Sequence, residues 1–403
     1  MSKRVIFVTN NGLTDHIGAA QILPYLEGLS RKGHRIGCIS VERNWEEDAY
    51  VDELNTRITD SLSSYEPIFT KKNLVAKLFS PIFLISKVFK LCRTVRPDFL
   101  HCRSYMPLVA VLLANFFYKI PFVFDMRGFW IDERLESGLW DEKKICWRII
   151  IFIFRFLERE AIRKASYIIV LTHDAEEVIR THPSYDGAML KVIPCSVDQD
   201  VFCVDKKERL RKRAELGFKE NEIVLAYLGS AGPLYRVDIV YQLYAKMKNA
   251  GLLPKLLFIG SHESKAHVVD AAAIGIDINE DDLICRRTPH NQVPVLLNAA
   301  DIGLSFRLQS FSSLGVSATK VGEYLSCGLP VISCTGVGDI KEIIEDFKNG
   351  YVLESLDEHE LNEFVNKMLK VSFFPRDDVR MSSKNYFDMN LAVNKYDDIY
   401  RGI

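Results

Sequence analysis

What this sequence lacks narrows the field first. None of its nine cysteines is separated from another by two residues, so neither a zinc site nor a disulfide framework is indicated, and free thiols in a reducing compartment are expected. No uninterrupted apolar run reaches the roughly 18 residues that a membrane span requires. The nearest approach, ICWRIIIFIF at 145–154, contains Arg148 and runs into RFLERE. The opening MSKRVIFVTNNG is a buried strand breaking into a polar turn, too short and too soon interrupted for a signal peptide. A soluble, cytoplasmic protein is the expectation. An excess of one charge is missing too: the net charge is −1, which argues against bulk nucleic-acid binding.

What is present suits two ordinary domains. The 403 residues are 48% hydrophobic, enough for two real cores. Strand-length apolar runs alternate with helical patterns from end to end. RVIFVT (4–9), a helix around 19–31, RIGCISV (35–41), FLHCRS (99–104), PFVFDM (121–126) and YIIVLT (167–172) form a first series. EIVLAYLG (222–229), KLLFIG (255–260), LICRR (283–287), DIGLSF (301–306) and PVIS (330–333) form a second. Continuous apolar strands separated by helices imply parallel sheets covered on both faces. The turn-rich KVIPCSVDQDVF (191–202) and the polar stretch after it place a boundary near 195. The expected fold is α/β, two doubly wound Rossmann-like domains facing a cleft. In such sheets the loops after the strands carry ligands.

Five post-strand loops hold candidate residues. NNGLTDHIGAA (10–20) places Gly12, His16 and Gly18 before a helix; it is either an ordinary turn or a glycine loop that approaches a phosphate or sugar, and it is not the G-x-G-x-x-G of a dinucleotide fold. DMRGFWIDERLESG (125–138) packs Asp125, Arg127, Asp132, Glu133 and Arg134 around Phe129 and Trp130, which suits either sugar recognition or a surface loop stapled by ion pairs. HCRSYMP (101–107) adds His101 and Arg103 to the same rim. LGSAGPLYR (228–236) leaves its strand through Gly229 and Ser230, with Tyr235 and Arg236 following, and its exposed amides suit a phosphate.

The fifth loop contains a local contradiction. SATKVGEYLSCGLPVIS (317–333) is a short helix followed by a strand, with Gly328 and Pro330 ending the helix. Lys320 sits in the first turn, where the helix dipole penalises a cation by roughly 0.3–1 kcal/mol. No acid lies between Arg307 and Val321 to neutralise it. A bound diphosphate resolves the conflict, because Arg307, Lys320, the hydroxyls of Ser317 and Thr319, and the free N–H groups of a helix start all favour an anion. Glu323, three residues on, can accept two hydrogen bonds from a ribose diol. The plainer alternative is that Lys320 and Glu323 form a surface pair.

At these residues the chain resembles a retaining glycosyltransferase of the GT-B fold, family 4 (group 1) type. ASYIIVLTHDAEEVI (165–179), VIPCSVDQDVF (192–202), AADIGLSF (299–306) and KVGEYLSCGLPVI (320–332) fall in that family's order and spacing. The resemblance implies an acceptor-binding domain at 1–194, completed by a crossing C-terminal helix at 381–403, and a domain at 195–380 that binds a nucleotide-sugar donor. It implies no cofactor and no metal. The chain departs from the pattern in two places: the first of two common glutamates falls on Gly315, and a common arginine and lysine fall on Ser230 and Tyr235. The diphosphate charge then shifts onto Lys320 and onto Arg236 or Arg307. Lys320 is the expected catalytic cation, Asp125 orients the acceptor or steadies charge at the sugar carbon, and Arg127 fixes Asp125 or grips the acceptor.

The segment 67–97 has Lys71, Lys72, Lys77, Lys87, Lys90, Arg93 and Arg96 interleaved with Phe69, Phe79, Phe83 and Phe89, and no acid. It is either a packed helix with a solvated basic face or a surface for an anionic membrane, on its inner face, presenting a lipid-linked saccharide as in bacterial surface polysaccharide assembly. Two competing functions share the same clamp: a nucleotide-sugar epimerase, which needs no acceptor, and a catalytically silent nucleotide-sugar binder.

Overall fold

The computed structural model describes residues 2–42, 49–70, 74–260, 263–369 and 374–403, the side chains of 49 and 74–80 excepted. The chain forms two compact units, Met1–Pro194 with Leu314–Val316 and Met389–Ile403, and Cys195–Ser313 with Ser317–Asp388.

The first unit is built on β1 (Arg4–Thr9), β2 (Arg35–Glu42), β3 (Ser64–Phe69), β4 (Phe99–Arg103), β5 (Phe122–Asp125), β6 (Tyr167–Val170) and β7 (Met189–Val192). These pair in parallel in the order β3-β2-β1-β4-β5-β6-β7. Helices cover both faces, which is why β4 and β5 are buried along their whole length rather than alternating. Leu74–Val95, Leu108–Tyr118 and the second half of Ile145–Lys164 pack on one face. Leu23–Arg31, Ala49–Ser61 and the last helix, Met389–Gly402, pack on the other. The helix expected over 19–31 is two, His16–Gln21 and Leu23–Arg31, interrupted at Ile22 just before Pro24, which has no N–H to continue the ladder.

The return to the first unit begins at Met389, not at 381. The helix Arg376–Phe387 stays in the second unit with Phe387 against Gly322, and extended Asp388 makes the change of direction.

The second unit is built on β8 (Ile223–Leu228), β9 (Pro254–Ile259), β10 (Leu283–Arg286), β11 (Ile302–Ser305), β12 (Val331–Cys334) and β13 (Gly350–Leu353). They pair in parallel in the order β10-β9-β8-β11-β12-β13. Each sheet therefore reverses its strand order once, at β1/β4 and at β8/β11. Such switch points leave a crevice beyond the strand ends, and that is where the candidate residues of each unit gather.

Candidate functional site

In the second unit the loops after β8 and β11 are sewn together. Arg236 N donates to Phe306 O at 3.2 Å, Leu308 N to Leu234 O at 2.8 Å, and Tyr235 bridges Arg307. The Tyr235 ring consequently lies between two cations, 5.5 Å from the Arg307 guanidinium and 4.6 Å from the Lys320 ammonium. Lys320 is also 4.4 Å from the ring of Tyr227, a residue of β8 that the sequence did not single out. Gly229 leaves β8 at φ 105°, a conformation that favours glycine, and a Cβ there would stand 3.6 Å from Lys320 Nζ.

The helix Thr319–Ser326 starts beside this cation without a side-chain cap, because its N-cap residue is Ala318. The Val321 N–H turns back to Ala318 O at 3.0 Å, and among the described residues the Thr319 and Lys320 N–H groups are left for another acceptor. Among the described residues Lys320 has neither a hydrogen-bond nor an ion-pair partner, only the two rings. Burial pushes its pKa down to about 7, with Glu323 opposing the shift and Arg307 adding to it. An ammonium held without a counter-anion, at an uncapped helix start beside a glycine turn, is arranged to receive a diphosphate.

Glu323 lies one turn further along and is 95% buried. His290, at the start of a 3-10 turn, sits with Nε2 2.8 Å from Glu323 Oε1 and its ring 5.2 Å from that of Phe202. Sequence reasoning missed His290. One lone pair of Glu323 Oε1 is thereby engaged, and the remaining acceptor sites of the carboxylate are those a diol would use. Thr319 stands half-buried at the helix start, and Ser230 is exposed with its carbonyl bound by the Tyr227 hydroxyl at 2.9 Å. Ser317 Oγ accepts from Cys195 N at 3.1 Å. The guanidinium of Arg236, expected toward the diphosphate, here forks onto Asp238 at 2.7–3.2 Å, two residues away. Arg307 is 6% exposed and faces the Tyr235 ring.

The first unit treats its candidates differently. After β1, the loop amides are already taken. Gly12 N and Gly18 N donate to Asp15 at 3.2 and 2.9 Å, and Leu13 N donates to Glu42 at 2.7 Å. Glu42, at the end of β2, also accepts from Thr14 and Ser40. A phosphate finds no open donor among these three amides, so the carboxylate-held turn is the reading the structure supports. Gly18 is required because a Cβ there would strike the Gly12 carbonyl. His16 is exposed at the first helical position.

Asp125 ends β5 fully buried. Arg103 Nη1 and His101 Nε2 approach its Oδ2 at 3.3 and 3.4 Å, Tyr396 donates to the same atom at 3.1 Å, and Arg127 Nη1 stands 3.9 Å from Oδ1. Burial alone would raise its pKa, but Arg127, His101 and Arg103 outweigh burial and hold it at about 2. This carboxylate faces its own cations through Oδ2, while its buried Oδ1 accepts no hydrogen bond among the described residues. His101, expected on a rim, is fully buried and bonded to Tyr400 at 2.9 Å. Arg127 follows at φ 57° and Ser104 stands at φ 69°, left-handed values that non-glycine residues hold only under constraint.

The aromatics of 125–138 do not form a sugar platform. Phe129 is 3% exposed, and Trp130 packs against Tyr105, Trp140 and Phe154 with ring centroids 5.0–5.7 Å apart. Trp130–Glu136 is a helix, and Asp132 pairs with Arg155 while Arg134 covers Trp130. Gly315, where a family glutamate was expected, touches this region: a Cβ there would lie 2.9 Å from the Phe129 ring and 3.1 Å from Gly128 Cα, so glutamate does not fit.

In the 67–97 segment, Lys71 and Lys72 and the side chains of Lys77 and Phe79 lie outside the described residues. Lys87 and Lys90 both bind Glu66, at 2.7 and 3.1 Å, and Arg93 donates to Tyr118 at 2.9 Å. Glu66, an acid just upstream in sequence, thus pairs with two of the seven expected cations. Among the described residues no helix is long and apolar enough to cross a membrane, and no group of three acidic, histidine or cysteine side chains is placed to hold a metal.

Comparison with known proteins agrees with this architecture. Residues 21–201 match the family described as Glycosyltransferase Family 4, and residues 208–386 match Glycosyl transferases group 1. A D-inositol 3-phosphate glycosyltransferase of Mycobacterium tuberculosis is 26% identical over 225 residues, which is 54% of this chain and 44% of that protein. The chain thus spans less than half the length of the curated relatives it matches. Sucrose-phosphate synthase of Thermosynechococcus elongatus superposes with a TM-score of 0.75 at 12% identity, covering 99% of this chain and 98% of that one. HepE of Anabaena, solved in complex with UDP-glucose, superposes with a TM-score of 0.70 at 14% identity over all of both chains. Both share the fold of two Rossmann-like domains.

Proposed function

The chain belongs to the group 1, family 4-type glycosyltransferases of GT-B fold, and on that footing we propose that it transfers a sugar, with retention, from a nucleoside diphosphate sugar to a saccharide or lipid-linked saccharide. The observation that carries this reading is the unpartnered Lys320 ammonium between Tyr227 and Tyr235 at the uncapped start of Thr319–Ser326. The donor we assign is a UDP-sugar, supported by the UDP-glucose bound in HepE. The acceptor belongs to the first unit, in bacterial surface polysaccharide assembly at the cytoplasmic face of the membrane.

In this scheme the bond between the sugar carbon and the β-phosphate oxygen breaks while the acceptor oxygen attacks the same face. The departing phosphate oxygen takes the acceptor's proton, so no strong protein base is required. Lys320, Arg307 and the helix N–H groups stabilise the charge that develops on the diphosphate. Arg127 and Arg103 are placed by Asp125, which thereby acts as a positioning residue. No metal enters the scheme.

A thermal-shift panel of nucleoside diphosphates and their sugars tests the donor assignment, because a ligand selective for the folded state raises its melting temperature. UDP and a UDP-sugar should shift the second unit most, and no shift with any nucleotide would end this reading. Incubation with a nucleotide sugar alone separates transfer from its rivals. Prompt epimer formation would mean an epimerase, and tight binding with no acceptor ever modified would mean a silent binder.

A further inference from the structure

The helix Ile145–Lys164 turns Ile145, Ile149, Phe152, Ile153 and Phe156 to solvent, each between 46 and 71% exposed. Their spacing places them on one side of the helix, opposite the side that buries Leu157, Ala161 and Ile162 in the core. Single exposed apolar residues are ordinary on a protein surface, but five along three turns of one helix form a patch that is not. The adjoining helix Leu108–Tyr118 exposes Phe116 and Phe117, with the Lys119 ammonium 5.0 Å from the Phe116 ring.

Charge says what covers this face. Lys143, Lys144, Arg148 and Arg159 are all exposed around the stripe, and no acid occurs from Lys143 to Phe156. Glu142, exposed, and Asp141, 3.9 Å from Lys144, lie just beyond the N-terminal end of that stretch, while Glu158 and Glu160 are drawn to Arg155, Arg163 and Lys164. A second copy of the chain would bring one basic rim against another. A bilayer of anionic lipid offers phosphates to the rim and acyl chains to the stripe.

We propose that this helix lies in the headgroup–acyl boundary of an anionic membrane, with Ile149, Phe152 and Phe156 inserted and Lys143, Lys144 and Arg148 on lipid phosphates. The stripe is amphipathic rather than spanning, and it docks the first unit on the surface. The inference depends on the proposed lipid-linked acceptor for its purpose but not for its geometry.

Vesicle flotation of the intact chain, without nucleotide, is the test. The protein should float with phosphatidylglycerol vesicles and not with phosphatidylcholine alone. Ile149→Ser with Phe152→Ser should lower partitioning on the order of tenfold or more. Lys143→Glu with Lys144→Glu should abolish the preference for anionic lipid. Both variants change exposed side chains, and an unchanged melting temperature with an unchanged shift by UDP separates a docking defect from a folding or donor-site defect. Absence of flotation with either lipid, or wild-type flotation by the Ile149→Ser, Phe152→Ser variant, overturns the proposal. So does a concentration-dependent dimer that the same variant converts to monomer, which would assign the stripe to a second copy.

Discussion

Both units bury charge at the carboxyl ends of their strands, and they do so in opposite ways. In the first, Asp125 is enclosed by Arg103, Arg127, His101 and Tyr396, so that buried anion and buried cations answer one another. In the second, Lys320 is enclosed by rings and, among the described residues, has no ion-pair partner, only the longer-range pull of Glu323. A compensated cluster fixes geometry. An uncompensated one stores a free-energy cost that a ligand of the right charge relieves.

The contrast can be broken most forcefully at Asp125. Asp125→Ala removes the anion while two arginines stay buried, a change that typically costs about 3–5 kcal/mol. Urea denaturation should show that loss, and near-wild-type stability would mean that the cluster is no more than a loose set of contacts. Lys320→Ala should instead weaken UDP binding, by about 1.5–3 kcal/mol for a charged hydrogen bond, with the unliganded fold undiminished. Calorimetry and a melting curve read the two halves of that statement.

Ala318→Asp sharpens the comparison by giving the second unit the compensation it lacks. A side-chain carboxylate at the N-cap should stabilise the unliganded protein by about 0.5–2 kcal/mol while competing with a diphosphate for the same N–H groups. Greater stability together with undiminished UDP affinity would show that the anion docks elsewhere. The smallest effect is expected at His290. His290→Ala should alter UDP affinity by about 0.5–1.5 kcal/mol through Glu323, leaving pyrophosphate affinity unchanged. An equal change for pyrophosphate would detach Glu323 from the ribose.

Much of the fold was legible because interior parallel strands announce themselves as apolar runs. RVIFVT coincides with β1, and the other interior strands fall within a residue or two of their runs. The strands that escaped notice, β3, β7 and β13, are sheet edges. Their residues are only partly covered, and β3 even carries Pro67, so no such run marks them. Lys320 was legible for a local reason: a cation at a helix start with neither cap nor acid is visible in four or five residues. Tyr227 and His290 were not, since the strand order and a distant turn bring them there. Trp130 misled because the rings packed on it, Tyr105, Trp140 and Phe154, come from separate elements, and Phe129 because Gly315, distant in sequence, lies against its ring. The pairing of Arg236 with Asp238 was close in sequence but depends on the bend at Arg236, φ −89° and ψ 65°, just before its helix.

The central claim is that Lys320 waits for an anion. With burial holding its pKa at about 7, Lys320 is largely neutral at pH 8 in the unliganded protein and charged once a diphosphate arrives. UDP binding should therefore take up protons at pH 8, approaching about one per site, and affinity should fall as pH rises through 7. Calorimetric titration of UDP in two buffers of different ionisation enthalpy measures that uptake directly. The account predicts uptake in the wild type and its loss, together with most of the affinity, in Lys320→Met. UDP binding with no proton exchange, equally tight in both proteins, would contradict it.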